Sequence, residues 1–323
     1  MRPILYLAPI RGYTHSLFRN IYKAHFDGFD FAIAPFITTM GSHRISPKHI
    51  RDILPENNAG FHLVPQILSN DPEGFICVAK KLYDLGYETV NWNLGCPFPM
   101  VAKKKRGSGL LPFPDLVRFI LDQVLARIPN QLSIKTRTGM NTPDEILTLM
   151  PVFNQYPLQE LIIHPRTGIQ MYQGSADSDV FAICLENTHH QIVYNGDIKN
   201  YEIYKKLSSR FNTVNRWMIG RGAISDPFLA SMIKTGTDDC VDKAQKFKVF
   251  HDALVNALVE TLDGPSHVLD KMKGYWSYFY LSFQNGQKLF KQIRKINQID
   301  SYMDRLSLFF EKEAKWQSLE EGS

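Results

Sequence analysis

The stretch LSIKTRTGMNTPDEILTLMPVFNQYPLQELIIH (132–164) decides the fold class of this chain. It contains two short apolar runs, LSIKTR (132–137) and ELIIH (160–164), on either side of a segment with helical periodicity that begins with Pro143 and an acidic first turn. A strand, a helix and a second strand in this order are typical of a parallel pair joined by a helical crossover. The segment therefore predicts a parallel sheet covered by helices.

The same alternation extends over the first two thirds of the chain. Eight runs are predicted as strands: 3–8, 29–34, 62–67, 88–93, 132–137, 160–164, 191–195 and 216–220. Eight strand–helix units in about 235 residues are typical of an α/β protein with a (β/α)8 TIM barrel. A doubly wound sheet is the competing architecture, but its dinucleotide fingerprint is present only as GSGLLP (107–112), which lacks the third glycine and follows a basic loop. The barrel is favoured.

The last quarter of the chain has a different pattern. Helical periodicity continues over 241–264, 266–283, 286–297 and 301–317, with no predicted strand between these segments. Four short helices joined by Gly, Pro and Asn turns predict an all-α helical bundle beside the barrel. We therefore expect a catalytic barrel domain at 1–237 and a C-terminal helical domain at 238–323.

Composition restricts the classes of function. Of the 323 residues, 44% are hydrophobic and 21% charged, and the net charge of +5 is compatible with a polyanionic partner. The four cysteines form no CxxC pair and the histidines show no metal-ligand spacing, so we expect neither a disulfide framework nor a metal site. No apolar run approaches the ~20 residues of a membrane-spanning helix. We expect a cytoplasmic protein that binds no membrane and has no obligate protein partner.

Polar residues follow the ends of the predicted strands, where barrel enzymes carry their reacting groups. After the last two strands come NGD (195–197) and GRGA (220–223), in which glycines let backbone N–H groups approach an anion and Arg221 adds a fork of donors. These loops predict a site for a phosphorylated cofactor, although the glycines can also serve only as turn residues. Earlier strand ends carry Pro9, Gln66, Asn93, Cys96, Lys135, Arg137, His164 and Arg166.

Two of these residues suggest chemistry. Cys96, between Gly95 and Pro97 in the loop after the fourth strand, is either a small buried hydrophobe or a thiol that acts as an acid or nucleophile. Lys135 can form a Schiff base, lie beside an electron-rich cofactor ring, or pair with a surface carboxylate. The residues alone leave both choices open.

Two basic clusters are candidates for binding a polyanion. KKKR (103–106) begins seven residues after Cys96 and is expected at the rim of the site. KLFKQIRK (288–295) places Lys288, Lys291 and Lys295 along one helical face, with Arg294 nearby. Either cluster can also be a solvated face, which is the usual role of a basic run.

Together, these motifs resemble those of the tRNA-dihydrouridine synthases. VNWNLGCPFPMVAKKKRGSG (90–109) is similar to the family signature, in which an Asn, a Gly-Cys-Pro and a later Gly-Ser/Ala occur at these spacings. Five further segments resemble other motifs of the family and occur in the same order. They are APIRGYT (8–14), IKTRTG (134–139), HPRTGIQMYQG (164–174), NGD (195–197) and IGRGA (219–223). SHVLDKMKGYWSYF (266–279) resembles the helical domain of the shorter bacterial, C-type members.

The resemblance implies a barrel that binds FMN and a helical domain that binds tRNA. Carried over position by position, it assigns the cofactor to Pro9, Ile10, Arg11, Gln66, Lys135, His164, Asn195, Gly196, Asp197, Gly220 and Arg221. It makes Cys96 the catalytic acid. It assigns the target uridine to Asn93, Arg166 and Tyr172, and we expect Lys291 and Arg294 to contact tRNA.

The resemblance also implies the reaction. Hydride from N5 of reduced FMN would add to C6 of uridine, and the thiol of Cys96 would protonate C5 from the opposite face. NADPH, or NADH, would reduce the flavin again, and the C-type resemblance favours the uridine at tRNA position 16. Four positions depart from the family pattern: Ile10 and Arg11 replace the usual Met and a small or acidic residue, Trp92 replaces an aliphatic residue, and Pro165 replaces a common Gly.

Three other functions are compatible with the sequence. An FMN-dependent barrel could act on a free pyrimidine, and its turnover would be insensitive to salt. An aldolase could use Lys135 as its Schiff-base lysine, in a colourless protein. An RNA-binding module without catalysis would bind tRNA without flavin.

Overall fold

A nearly closed ring of parallel strands forms the centre of the protein in the computed structural model, which describes residues 2–38, 45–58 and 60–318. The strands are β1 (Ile4–Leu7), β2 (Phe31–Ile33), β3 (His62–Val64), β4 (Gln66–Ile67), β5 (Thr89–Leu94), β6 (Gln131–Gly139), β7 (Leu161–Thr167), β8 (Ile192–Tyr194) and β9 (Arg216–Ile219). They are hydrogen-bonded in the order β3-β2-β1-β9-β8-β7-β6-β5-β4.

Pro65 separates β3 from β4 and explains why nine strand segments form an eight-stranded barrel. β3 pairs with β2, and β4 pairs with β5. Pro65 has no N–H to donate, but its carbonyl accepts a hydrogen bond from the backbone N–H of Asn91 at 2.9 Å. Residues 62–67 therefore act as one strand that bridges two neighbours. All eight predicted strands are present, and the predicted TIM barrel is confirmed.

Helices cover the outside of the barrel. They are α1 (Ser16–His25), α2 (Pro47–Ile53), α3 (Pro72–Asp84), α4 (Pro99–Ala102), α5 (Pro114–Leu125), α6 (Glu145–Phe153), α7 (Ser178–Glu186), α8 (Tyr201–Arg210), α9 (Arg221–Ser225) and α10 (Leu229–Thr235). The start of α3 shows the local cause, because the Asp71 carboxylate accepts hydrogen bonds from the first free N–H groups, at Glu73 and Gly74. Phe75, Val78 and Leu82 then lie on the buried face of this helix.

The four predicted C-terminal helices are also present. They are α11 (Lys243–Thr261), α12 (Pro265–Phe279), α13 (Gly286–Ile293) and α14 (Ile299–Lys312). Aromatic contacts join them to α1: Phe18 stacks on Tyr275 with ring centres 5.4 Å apart, and Phe26 meets Phe250 edge-on at 5.0 Å. One apolar core thus continues from the barrel into these helices. Within the described ranges, no helix is long and apolar enough to cross a membrane.

A paired charged cluster lies at the amino ends of the strands. The Tyr6 hydroxyl donates to Oε2 of Glu160 at 2.8 Å, and Nη1 of Arg216 lies 3.2 Å from the same oxygen. Burial raises the pKa of the Glu160 carboxyl, while Tyr6 and Arg216 oppose that effect. Glu160 directly precedes β7 and Arg216 begins β9, so the cluster ties neighbouring parts of the barrel together at this end.

Candidate active site

A cavity of about 580 Å³ lies at the carboxyl end of the barrel. Most of its wall is formed by residues toward the carboxyl ends of the barrel strands or in the loops that follow them, including Pro35 and Phe36 after β2. The predicted site residues in this wall are Pro9, Ile10, Arg11, Gln66, Asn93, Cys96, Lys135, His164, Tyr172, Asn195, Gly196, Asp197, Gly220 and Arg221. The other three, Arg166, Lys291 and Arg294, lie outside the wall. The expected meeting of strand ends therefore occurs.

Asn93 holds the loop that carries Cys96. Its Nδ2 donates to Oε1 of Gln66 at 2.7 Å, and its Oδ1 accepts from the backbone N–H groups of Gly95 at 3.0 Å and Cys96 at 2.9 Å. Gln66 in turn donates to Oδ1 of Asn91 at 2.8 Å. Both groups of the Asn93 amide are thus occupied by the protein, which positions Cys96 relative to β4 and β5.

Gly107 and Ser108 hold the same loop from its other side. The backbone N–H and the hydroxyl of Ser108 both donate to the carbonyl oxygen of Cys96 at 3.1 Å. Gly107 has a φ of +57°, and a Cβ at this position would lie 2.5 Å from that carbonyl oxygen. Only glycine fits such a close approach, which gives a physical reason for the Gly-Ser pair in the 90–109 motif.

The surroundings of Cys96 keep its thiol protonated. Burial raises the pKa of this thiol, and the backbone N–H of Phe98 together with the positive charges of Arg11, Arg137 and Lys135 opposes the rise. The net pKa still lies above that of an ordinary cysteine. A protonated thiol in a cavity wall can donate a proton, which is the first of the two roles that the sequence left open.

Lys135 faces the cavity without a carboxylate partner. Burial, followed by repulsion from Arg137, lowers the pKa of its ammonium group to about 7, while the Cys96 thiol opposes the change. Among the described residues, none accepts a hydrogen bond from Lys135 Nζ or pairs with it as a carboxylate. Pairing with a surface carboxylate, one of the three possibilities for this lysine, is therefore not observed.

Arg166 lies behind the cavity wall and fixes two residues of the site. It is only 2% exposed and forms a bidentate ion pair with Asp197, with N–O distances of 2.9 and 2.6 Å. Its Nη1 also lies 3.1 Å from Nε2 of His164, which must accept because arginine only donates. Burial and the cations Arg137 and Lys135 keep the pKa of His164 well below its usual range. His164 is thus neutral, with its proton on Nδ1.

Asp197 orders the two predicted anion-binding loops. Besides Arg166, its carboxylate accepts a hydrogen bond from Nη2 of Arg221 at 3.1 Å. Burial raises the pKa of Asp197, but the bonds from Arg166 and neighbouring donors outweigh this and hold it below its usual range. A Cβ on Gly222 would lie 2.1 Å from the carbonyl oxygen of Ile198, so the loops touch where only glycine fits. NGD and GRGA therefore meet, as predicted.

The sequence matches the family described as dihydrouridine synthase (Dus) over residues 6–314. This chain belongs to the dihydrouridine synthase family. The match includes the barrel strands, the Cys96 loop and the C-terminal helices.

Individual relatives agree with the family. The tRNA-dihydrouridine synthase B of Pasteurella multocida (strain Pm70) is 30% identical over 232 residues, which cover 72% of this chain and 69% of that protein. The tRNA-dihydrouridine(16) synthase of Vibrio vulnificus (strain CMCP6) is 23% identical over 318 residues, or 95% of this chain and 97% of that protein.

Solved structures show the same barrel fold at low sequence identity. Morphinone reductase in complex with tetrahydroNAD has a TM-score of 0.53 and 9% identity, covering 76% of this chain and 90% of that one. The old yellow enzyme homologue from Zymomonas mobilis has a TM-score of 0.52 and 11% identity, covering 74% and 91%. At this identity the similarity concerns the fold alone.

Arg137 also lies in the cavity wall, although no role was predicted for it. Its Nη1 donates to the carbonyl oxygen of Thr167 at 2.6 Å and its Nε to that of Gly95 at 3.1 Å. The guanidinium groups of Arg137 and Arg221 lie 5.5 and 4.8 Å from the ring centre of Tyr172. The available signal was its position two residues after Lys135, because alternate residues of a strand share a face.

The C-terminal helices also contribute to the cavity, which the strand ends could not indicate. Ser277 and Tyr278 of α12 line it together with Tyr13 from the loop after β1. The rings of Tyr13 and Tyr278 meet edge-on at 5.1 Å. The only signal in the sequence was the similarity of 266–279 to the family's helical domain.

α13, which carries the predicted basic face, packs next to the end of α12. Lys291 and Arg294 are exposed. Tyr280, two residues after Tyr278, stacks on Phe290 of α13 with ring centres 5.2 Å apart, and the Arg294 guanidinium lies 5.9 Å from the Phe290 ring centre. The predicted basic helix therefore packs on a residue that follows the α12 part of the wall.

The KKKR cluster extends from the Cys96 loop. Lys103, Lys104 and Lys105 are exposed after α4, while Arg106 is half-buried and donates through Nε to Oδ1 of Asn70 at 2.9 Å. Arg106 thus fixes the loop, and the three lysines remain exposed at the surface, outside the cavity wall.

Proposed function

We propose that the protein reduces the C5=C6 bond of a uridine in tRNA to give dihydrouridine, with FMN as cofactor and NADPH or NADH as reductant. The observation that carries this proposal is the position of Cys96 in the wall of a cavity rich in basic residues, in a barrel of the dihydrouridine synthase family. Two relatives named as tRNA-dihydrouridine synthases support the choice of tRNA. The relative named for position 16 aligns with 95% of this chain, which favours the uridine at that position.

The residues of the cavity fit FMN. Lys135 has no counter-ion, and an anionic or electron-rich ring beside it would supply one. Arg221 and the glycine-containing loops NGD and GRGA offer donors for a single phosphate. When bound, FMN supplies the hydride for the reduction. The residues that would hold it are Pro9, Ile10, Gln66, Lys135, His164, Asn195, Gly196, Asp197, Gly220 and Arg221.

Cys96 supplies the proton for C5 of the uridine. Its S–H bond breaks, the proton moves to carbon, and the electron pair stays on sulfur as a thiolate. Arg11, Arg137 and Lys135 stabilise that thiolate, because their charges act directly on this group. Solvent then returns a proton to the sulfur. Asn93 keeps the thiol in place through the backbone of the loop.

The target uridine must leave its neighbours in the RNA to enter the cavity, which costs a few kcal/mol by analogy with base flipping. We propose that Tyr172, which is 52% exposed in the cavity wall, contacts the base, and that Asn93 borders it. Arg166 acts on the uridine indirectly, by holding His164 and Asp197. The helices from residue 238 onward bind the body of the tRNA in the cytoplasm.

Dihydrouridine formation in unmodified tRNA tests this function. We expect purified protein to be yellow, to release FMN, and to form dihydrouridine when NADPH is added. A colourless protein that is trapped by borohydride with an aldehyde would instead be an aldolase using Lys135. Salt-insensitive turnover of a free pyrimidine, with no reaction on tRNA, would identify the alternative flavin enzyme.

A further inference from the structure

The cavity wall carries more positive charge than one cofactor phosphate requires. Its basic residues include Arg11, Arg137 and Arg221, together with Lys135, whose pKa of about 7 leaves it partly charged. Among the described residues of the wall, Asp197 is the one carboxylate, and it is already paired with Arg166 and Arg221. Such an excess of one sign attracts a further anion to the site.

The Arg11 guanidinium acts on a different group of the cavity from the Arg221 guanidinium. Its charge acts on Cys96, whereas the charge of Arg221 acts on His164 and Arg137. The Arg11 guanidinium lies 5.6 Å from the ring centre of Phe36, across the wall of the cavity. The Arg11 guanidinium is therefore turned toward Phe36 and Cys96, although its neighbour Ile10 lies beside Gly220 of the GRGA loop.

Arg11 is exposed at the mouth and has no carboxylate partner in the part of the chain that the structure describes. The loop that carries it is nevertheless fixed. The Tyr275 hydroxyl donates to the carbonyl oxygen of Tyr13 at 2.7 Å, Lys271 Nζ donates to the carbonyl oxygen of Gly12, and the N–H of Ile10 donates to Oγ1 of Thr14 at 2.8 Å. The guanidinium of Arg11 is therefore carried by an ordered backbone. Binding a ligand there costs little loop entropy.

We propose that Arg11 binds a phosphodiester group of the RNA beside the target nucleotide, on the Cys96 side of the cavity. This inference rests on the proposed function and replaces the expected contact of Arg11 with the cofactor. The planar guanidinium suits two phosphate oxygens at once. RNA is favoured because the Arg11 loop is bonded to α12, whose end leads through Tyr280 and Phe290 to the basic face of α13.

The variants Arg11→Ala and Arg11→Lys test the proposal in the full-length, FMN-loaded protein. For Arg11→Ala we expect tRNA affinity to fall about tenfold, the usual effect of losing one charge-assisted contact. The slope of log affinity against log salt should decrease by about 0.7 to 0.9, the value for one phosphate. Arg11→Lys should keep the slope and lose part of the affinity. FMN content and the rate of flavin reduction by NADPH should not change.

Arg127→Ala is the matched control, because it removes an exposed arginine near the start of β6, at the opposite end of the barrel. If Arg11→Ala binds tRNA with the affinity and salt slope of this control, the proposal is wrong. Loss of FMN, or slower flavin reduction by NADPH, would equally overturn it and assign Arg11 to the cofactor or the dinucleotide. Formation of dihydrouridine by the wild-type protein is measured in parallel. If the wild-type protein forms no dihydrouridine, the proposed function is wrong. If it forms dihydrouridine but Arg11→Ala binds tRNA as tightly as wild type, only the role of Arg11 is wrong.

Discussion

The two ends of the barrel differ in whether their buried charged groups are paired within the protein. At the amino end, the Glu160 carboxylate is hydrogen-bonded to Tyr6 and paired with Arg216. At the carboxyl end, Lys135 faces a cavity without a carboxylate, and its pKa falls to about 7 as a result of burial and repulsion. Glu160 thus has its hydrogen-bond and charge partners within the protein, whereas Lys135 has no carboxylate partner among the described residues.

This difference separates structural charges from functional ones. A buried charge is costly unless it is paired or loses its charge, so an unpaired basic group in a cavity wall is suited to a ligand that supplies the missing charge. Substitutions at the amino end should therefore change stability, whereas substitutions at the carboxyl end should change binding or chemistry in a protein that still folds.

Replacing Cys96 by Ala should have the largest effect on chemistry. Product formation in a single turnover should fall by about 10² to 10⁴, the usual contribution of a positioned general acid. Folding, FMN content and flavin reduction by NADPH should be retained, because the loop is held by Asn93 through backbone atoms. Rapid-quench measurement of dihydrouridine from pre-reduced protein gives the rate.

Cys77→Ala is the control for this variant, since Cys77 lies on α3, outside the cavity wall. It should react at the wild-type rate. A Cys96→Ala protein that forms product within twofold of wild type would show that Cys96 is structural and that another group donates the proton.

At the amino end, Glu160→Ala should reduce stability without impairing the site. Removing one partner of a buried ion pair costs about 3 kcal/mol, and the partial exposure of Arg216 places the expected loss at or below that value. Urea unfolding should report the loss, while FMN content and product formation per folded molecule should match wild type. A stable variant with a slower reaction would contradict the division between the two ends.

The fold was predictable because its determinants are local. Each strand is a short apolar run and each helix has its own periodicity, so the eight strands and the four C-terminal helices could be identified from neighbouring residues. The interruption at Pro65 was not anticipated. The first half of residues 62–67 pairs with β2 and the second half pairs with β5. This change of partner is a consequence of closing the ring and has no local pattern in the sequence.

The site was predictable only as far as parallel strands bring their ends together. That rule gathered Cys96, Lys135 and His164 into one cavity, and the family resemblance supplied their proposed roles. It could not indicate that Arg166 is turned to Asp197, or that Tyr278 reaches the cavity from α12. Both depend on contacts between distant parts of the chain, and no local pattern encodes them.

Lys135 should make cofactor binding depend on pH. An anionic ligand binds the protonated ammonium and raises its pKa above the value of about 7 in the free protein. FMN affinity should therefore be highest below pH 7 and fall as the pH rises through 7, by up to about tenfold between pH 6 and pH 8. Titration of the apoprotein with FMN, followed by flavin fluorescence, measures this change.

Lys135→Met is the comparison for that experiment. Protonation of free FMN contributes equally to the pH profiles of the two proteins. The difference between the profiles therefore gives the contribution of the lysine. The variant should bind FMN more weakly and lose the additional pH dependence. Equal profiles for the two proteins would mean that Lys135 does not contact the cofactor, and its unpaired charge would need another explanation.

The smallest effect is expected for the basic face of α13, which is exposed on a helix whose apolar side is buried through Leu289 and Ile293. Reversing Lys291 and Arg294 to Glu should weaken tRNA binding about three- to tenfold, because exposed charge contacts contribute up to about 1 kcal/mol each. The slope of log affinity against log salt should flatten, and FMN content should not change. The loss of tRNA affinity should be similar for tRNAs of different sequence, since phosphates carry no sequence information.

Reversal of Lys80 and Lys81 to Glu is the matched control for the change of charge, since both lysines are exposed on α3. If the two double variants bind tRNA equally well at low and high salt, the α13 face is only solvated, and the RNA contacts must be sought at Lys103 to Lys105.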